Sequence, residues 1–411
     1  MLRKLTTATA LLFFAMSPMA QAAEIDLNRL ARSYFSPATT TDRSAALVEI
    51  TDEAQTDNGA LFLQGLAEMA QMFEQFGYDL SKHGLDPSGS EFLPQLFFVP
   101  TVEIEEIEPL DYQKFRTILQ RAEQSLDVVI ATLQGVNQTD EFGVLLNLDK
   151  TRMNFTGSEE FSDKFSISTA INMIGGGGSQ QDPMIFRLDN ADAIWLEGYA
   201  HLMKANLNFW LSHDFEQTFN DSFHAFFPKA NLPLQDALAQ NDPRVRWGRE
   251  ADLISIIHNI NWDVIEPERR ITFINELKSV VELSRENWAA ILAESDNDHE
   301  WVPGPHQPGI NPLTGAEITQ EMLDGWYSVL TMAERVLDGD LLIGHWRFPD
   351  QGINFNRLML EADHFDLILS ITGPGVAPYI EDGQRIGLDE FQQFTTPFGR
   401  GGLGLFAFWV N

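Results

Sequence analysis

The stretch HWRFPDQGINFNRLMLEADHFD, 345–366, holds the densest group of side chains able to do chemistry. An imidazole beside a carboxylate can pass a proton near neutral pH, and His345 and His364 stand among Asp350, Glu361 and Asp363. The planar guanidinium of Arg347 can clamp a carboxylate through two parallel hydrogen bonds. Trp346 offers a face on which a sugar or a cation can stack. Asn354 closes the GIN tripeptide of the same stretch, and Tyr379 follows on the rigid Gly/Pro loop TGPGVAPYIEDG.

A second group lies on the polar, proline-rich loop ESDNDHEWVPGPHQPGINPLTG, 294–315, where His299, Trp301 and His306 accompany Asp296, Asp298 and Glu300. Long loops that carry aromatics and titratable groups are often functional. The catalytic candidates are therefore His345, His299, His306 and His364, and the binding candidates are Trp346, Arg347, Asn354, Trp301 and Tyr379. Each has a plain structural alternative. Trp301 can pack its loop down, and Trp346 with Arg347 can fasten the C-terminal part of the chain to the rest.

A divalent metal has one weak place in the sequence. His201 and His224 flank a helical break that contains Asp214, and imidazole with carboxylate suits such an ion. The twelve residues from Asp149 carry acids at the first and last positions of a calcium loop but lack its inner oxygen ligands and its turn glycine, so they read as a polar turn. The glycine run IGGGGSQQDP, 174–183, has no Lys-Ser/Thr after it and reads as a loop, so no nucleotide cofactor is expected. H-E-x-x-H and G-x-S-x-G are both absent.

The chain around these residues is strongly acidic. Sixty acids against 27 bases give a net charge of −33 over 411 residues, which repels nucleic acid and anionic lipid. With no cysteine, a disulfide framework, a thiol nucleophile and a thiolate metal site are all excluded. Arg3 and Lys4, an apolar run and the small residues Ala20-Gln21-Ala22 read as a signal peptide over 1–22. The remaining chain is expected in the periplasm or outside the cell, with no integral membrane segment.

Helical periodicity supplies most of the elements that must position the candidates. Apolar residues recur at three- and four-residue steps over 61–80, stopping near Gly77, and over 112–133. The segment 189–227 reads as a helical hairpin broken at Ser212-His213-Asp214, and further helices fit 251–261, 268–293 and 319–337 with Gly339 as a stop. The run 93–109, bracketed by prolines, reads as extended. Strands are expected at 142–149, 365–373 and in the closing LGLFAFWVN.

The fold class is therefore mainly α, an irregular bundle of long amphipathic helices and helical hairpins with a small C-terminal α/β cap. Its expected divisions are a signal peptide (1–22), an N-terminal segment (23–58), a helical region with a minor strand element (59–182), a helical core (183–338) and the cap (339–411). The functional expectation is an exported acidic binding or scaffold module for a small ligand or protein partner. The alternative is a hydrolase-like enzyme using the histidines and carboxylates of the C-terminal third. The missing catalytic motif favours the first.

Overall fold

The computed structural model describes residues 25–86, 102, 104, 106–162, 165–168, 184–234, 251–252, 254–294, 298–307, 317–387, 391–392, 395–398 and 402–409. The signal segment, the glycine run and most of 93–109 lie outside them. Helices α1 (Leu27–Phe35) and α2 (Thr40–Glu53) pack on α3 (Asn58–Lys82), which lies along α4 (Tyr112–Leu133). The apolar stripe of α4 is buried as its spacing requires: Phe115, Ile118, Leu119, Ala122, Leu126, Val129 and Leu133 all face inward. Asp111 starts this helix by accepting from the Lys114 backbone N–H at 2.8 Å. In α3 the helix runs through Gly77 and stops at His83-Gly84, where Gly84 has φ +72°. A glycine inside a helix costs about 1 kcal/mol, and here the buried neighbours Leu80 and Met72 hold the turn regardless.

Strands β1 (Val144–Asn147) and β2 (Ile185–Leu188) form an antiparallel pair leading into α5 (Asn190–Leu211). The expected break follows at once, with β3 (His213–Asp214) and the short α6 (Glu216–Ser222). Phe215, Phe219, Phe223 and Phe226 are all buried, and Phe223 meets Phe115 of α4 edge-on at 5.0 Å. After 251–259 come β4 (Asn261–Val264), α7 (Glu268–Ala293) and α8 (Gln320–Asp338). Gly339, at φ +83°, ends α8 in the left-handed conformation. The helices stack in the order α3, α4, α5, α7, α8. Helices α5 and α7 run antiparallel, since Arg269 at the start of α7 donates to Asn208 near the end of α5 at 3.1 Å.

The C-terminal part holds β5 (Leu342–His345), β6 (Phe348–Ile353), α9 (Phe355–Glu361), β7 (His364–Asp366), α10 (Leu367–Thr372), β8 (Ile380–Glu381), β9 (Arg385–Ile386) and α11 (Gly402–Trp409). One sheet has the order β8-β6-β5-β9, with β5 and β9 parallel and the other pairs antiparallel. The fold is thus mainly α with small sheets.

Two expected strands are helices instead. Of the segment 365–373 only Phe365 and Asp366 pair as strand, at the end of β7. Asp366 then accepts from the Leu369 N–H at 2.7 Å and opens α10, which Gly373 at φ +103° closes. The closing LGLFAFWVN is helical in α11 as far as it is described, to Trp409, because a run apolar on every side carries no period to choose between helix and strand. Phe406 seals it against Trp288 of α7, with rings stacked at 5.8 Å.

A second small sheet, β3-β4-β7, joins this part to the helical body. Trp262 of β4, buried beside Phe209 and Phe365, is its apolar centre. Arg270 adds a hydrogen bond to the Ala362 carbonyl. Among the described residues no helix is long and apolar enough to cross a membrane.

Candidate functional site

The hairpin of β5 and β6 turns at Trp346-Arg347, and its side chains close the C-terminal end of α10. His345 Nε2 and Trp346 Nε1 both lie on the Ile371 carbonyl, at 3.1 and 2.9 Å. Arg347 Nε donates to the Thr372 carbonyl at 2.6 Å. These are carbonyls that the last turn of a helix leaves without an internal partner, and a cation suits that end of the helix dipole. The Arg347 backbone N–H donates to His345 Nδ1 at 3.2 Å. Both ring nitrogens of His345 are therefore committed to backbone groups. Gly373 is required here, since a Cβ at that position would stand 2.7 Å from Arg347 Cδ.

The outer surface of this assembly is apolar. Trp346 is 69 % exposed and carries the Arg347 guanidinium 4.5 Å above its ring. Helix α10 buries none of its residues although its sequence is LILSIT, and Ile371 is 56 % exposed. Trp346 and Arg347 therefore fasten the hairpin to α10, both within the C-terminal part. They do not tie that part to the helical body, as the sequence reading allowed; the β4–β7 pairing does so.

The other candidates are dispersed. Asn354 is buried as the N-cap of α9: its Oδ1 accepts from Arg357 N–H at 3.0 Å and its Nδ2 donates to Glu381 at 3.0 Å. Tyr379 lies 6.0 Å below the Arg357 guanidinium, and burial pushes its phenol up. His364 meets Asp263 at 2.8 Å on an exposed rim, while His299 meets its neighbour Asp298 at 2.9 Å. His306 is exposed on the same loop as His299. Trp301 is buried edge-on against Phe186 and Trp195, at 4.9 and 5.7 Å, and packs its loop onto α5. His299, His345 and His364 are each tied to a different group, so the acid/base histidines do not assemble.

His201, His224 and Asp214 do not converge either, which corrects the metal expectation drawn from them. His201 sits between Glu276 of α7, which meets its Nδ1, and Glu197, 3.6 Å from its Nε2. Lys204 one turn on reaches Glu276 at 2.8 Å and Asp127 of α4 at 2.7 Å. Burial opposes the charge on His201, but the hydrogen bonds to Glu197 and Glu276 outweigh it and push the imidazole up to about 9. A protonated ring is an ion-pair partner and no metal ligand. His224 pairs with Asp252 at 3.2 Å, and Asp214 accepts from the Glu216 N–H at 3.0 Å. The helical period brings acids and bases together across the bundle, and internal pairing satisfies them. Asp149 likewise accepts from the Met184 N–H at 3.0 Å, as a turn residue does.

One carboxylate group escaped the sequence reading. Asp189, Glu294 and Glu300 each bring an oxygen within 4.8 Å of the others. They converge because α5 begins where α7 ends. Asp189 and Asp192 form the capping box of α5, with Asp189 accepting from Ala191 N–H at 2.8 Å and Asp192 from Asp189 N–H at 2.9 Å. Glu294 follows the last turn of α7, and Trp301 holds Glu300 over both ends. Burial first, then the charges of Asp189, Glu300 and Glu294, push the Asp192 carboxyl well up, the Asp189 N–H notwithstanding. Paired carboxylates with one raised group suit glycoside hydrolysis. The cavity here has a volume of ≈ 10 Å³, room for about one water-sized body and not for a sugar. The signal was present in the loop acids at 294–300, but their partners lie a hundred residues earlier in no motif.

No protein-family model, no curated protein and no solved structure matches this chain.

Proposed function

We propose that the protein is an exported acidic binding or scaffold module that engages a protein partner through the face built by Trp346, Arg347 and α10. The carrying observation is α10 itself, an apolar helix with no buried residue, continued by a Trp346 that is 69 % exposed. Exposed aromatic and aliphatic surface with an arginine in it is the usual make-up of an interface centre. The partner is a polypeptide of net positive charge, which the −33 of this chain steers toward it. It offers apolar side chains to Trp346 and Ile371 and one carboxylate to the terminal nitrogens of Arg347, which have no partner among the described residues. Export rests on the basic, apolar and Ala-Gln-Ala sequence of 1–22. The hydrolase-like alternative has no comparable observation behind it.

A photo-reactive residue at position 371, placed in cells, tests this. One discrete adduct is expected, and Arg347→Ala should abolish it while the fold survives. The control position is Val48 of α2, 62 % exposed on an unrelated surface. If position 371 yields no adduct, or the same adducts as position 48, the face is not an interface.

A further inference from the structure

We propose that the cavity between the start of α5 and the end of α7 is a calcium site, formed by Asp189, Asp192, Glu294 and Glu300 with the carboxamide of Asn287. The carboxylates alone would not establish it, since acidic clusters are common on so acidic a chain. Asn287 supplies the independent observation. It is 2 % exposed, and among the described residues neither its Oδ1 nor its Nδ2 has a hydrogen-bond partner. A buried amide left so forfeits the hydrogen bonds it makes to water in the unfolded chain. It lies on one face of α7 with Ile291 and Glu294, and all three line the cavity together with Asp192 and Trp195 of α5.

The donor set is all oxygen. Four carboxylates and an amide carbonyl, with no imidazole or thiolate, suit a hard cation and disfavour zinc. Ligands on opposite sides of a calcium ion stand about 4.6–5.2 Å apart, given bond lengths near 2.3–2.6 Å. The oxygens of Asp189, Glu294 and Glu300 fall inside that span, at 4.8 Å or less. Magnesium holds a smaller octahedron and keeps its waters, for which a cavity of ≈ 10 Å³ leaves little room. The last turn of α7 carries no basic residue, and Glu294, which accepts from Gln307 Nε2 at 3.2 Å, follows at the negative end of the helix dipole. A cation there offsets both the dipole and the mutual repulsion of the acids. It would also bind Glu300, and with it the loop 298–307, to the two helix ends.

The inference stands apart from the proposed partner face. Its test uses the purified chain stripped with a chelator and titrated with calcium chloride alone. Calcium at millimolar concentration should raise the melting temperature by about 2–5 °C. Terbium, a calcium mimic, should emit when excited through Trp195, and calcium should displace it. Glu300→Gln and Asn287→Leu should each weaken both responses at least tenfold. The second variant removes the unpaired amide without adding charge, so it should fold at least as well as the parent in chelator. The proposal is overturned if calcium changes neither readout. It is equally overturned if both variants respond like the parent, or if magnesium matches calcium.

Discussion

Midway along the antiparallel pair α5 and α7, Glu276 lies between His201 and Lys204, while at one end of the pair Asp189, Asp192, Glu294 and Glu300 face one another. Both groups are made of acids withdrawn from water by the same two helices. In the middle, Glu276 finds its bases one helix away, Glu197 meets His201 within α5, and Asp127 of α4 extends the chain of pairs. At the end, Arg187 reaches Asp189 at 4.0 Å and Gln307 donates to Glu294 at 3.2 Å, while the charges of Asp189, Glu300 and Glu294 add to burial in pushing the Asp192 carboxyl up. A buried charge costs several kcal/mol unless it is paired, takes up a proton or holds an ion. The first region uses pairing. The second has like charges beside its pairs, and the buried amide of Asn287 lines the same cavity, as the proposed calcium site requires.

The comparison breaks most visibly at Glu276. Glu276→Ala leaves His201 and Lys204 without their shared acceptor and should cost about 3–5 kcal/mol, read from urea midpoints. A loss under about 1 kcal/mol would mean the seam is wet and weak.

A smaller effect lies in pH. His201 is raised from 6.5 to about 9 by its acidic neighbours Glu197 and Glu276, against burial, with the ammonium of Lys204 and the carboxylate of Asp127 next in line. A raised base stabilises fully below its unfolded pKa and loses that contribution as pH climbs through the folded one. Stability should therefore hold up to about pH 6.5 and fall by about 2–3 kcal/mol toward pH 9.5. Glu276 is depressed, so its contribution is present above its ordinary value of 4.5 and fades as pH falls below that. Denaturation of the parent and of His201→Gln across this window checks the first half. Parallel curves for the two proteins would remove His201 from the account.

At the acidic end the sign should reverse. In chelator, Glu300→Gln relieves repulsion and should raise stability by about 1 kcal/mol, where removing an acid from the seam lowers it. A loss of stability in chelator would place Glu300 with the paired acids. The smallest expected change is at the exposed face. Trp346→Ala should shift stability by less than about 1 kcal/mol while removing the partner adduct. A large drop in melting temperature would mean that Trp346 serves the adduct only by holding the hairpin on α10, and not by touching the partner.

How far the sequence could be read follows from which interactions are local. The start of α4 at Tyr112, the break at 212–214 and Gly339 after α8 are all decided within a few residues, and each stands where the pattern places it. The segment LILSIT was misread because an Asp366 cap outweighs β-branched composition, and α11 because an evenly apolar run has no readable period. The histidines at 299, 345 and 364 were conspicuous by type, yet type says nothing of the backbone carbonyl or adjacent acid that absorbs each one. The cavity was hidden for the opposite reason. Its members are ordinary capping and helix-end acids, and only the antiparallel docking of α5 on α7 brings Asp189 to Glu294.

The small sheet β3-β4-β7 also carries a consequence for how the molecule comes into being. Asp263 and His364 face each other across β4 and β7 although they are 101 residues apart in the chain. Closing a loop of that length costs about 1.2 kcal/mol more than closing one of 25 residues, whereas each helix of the bundle forms from near neighbours. The bundle can thus gather first, with β4 waiting at its edge for the strand that ends the sequence of events. Until His364–Asp366 arrives, Asn261–Val264 presents unpaired backbone along one side. A chain cut short before residue 364 would keep most of its helices and a strand edge open to neighbouring molecules, and so would tend to aggregate.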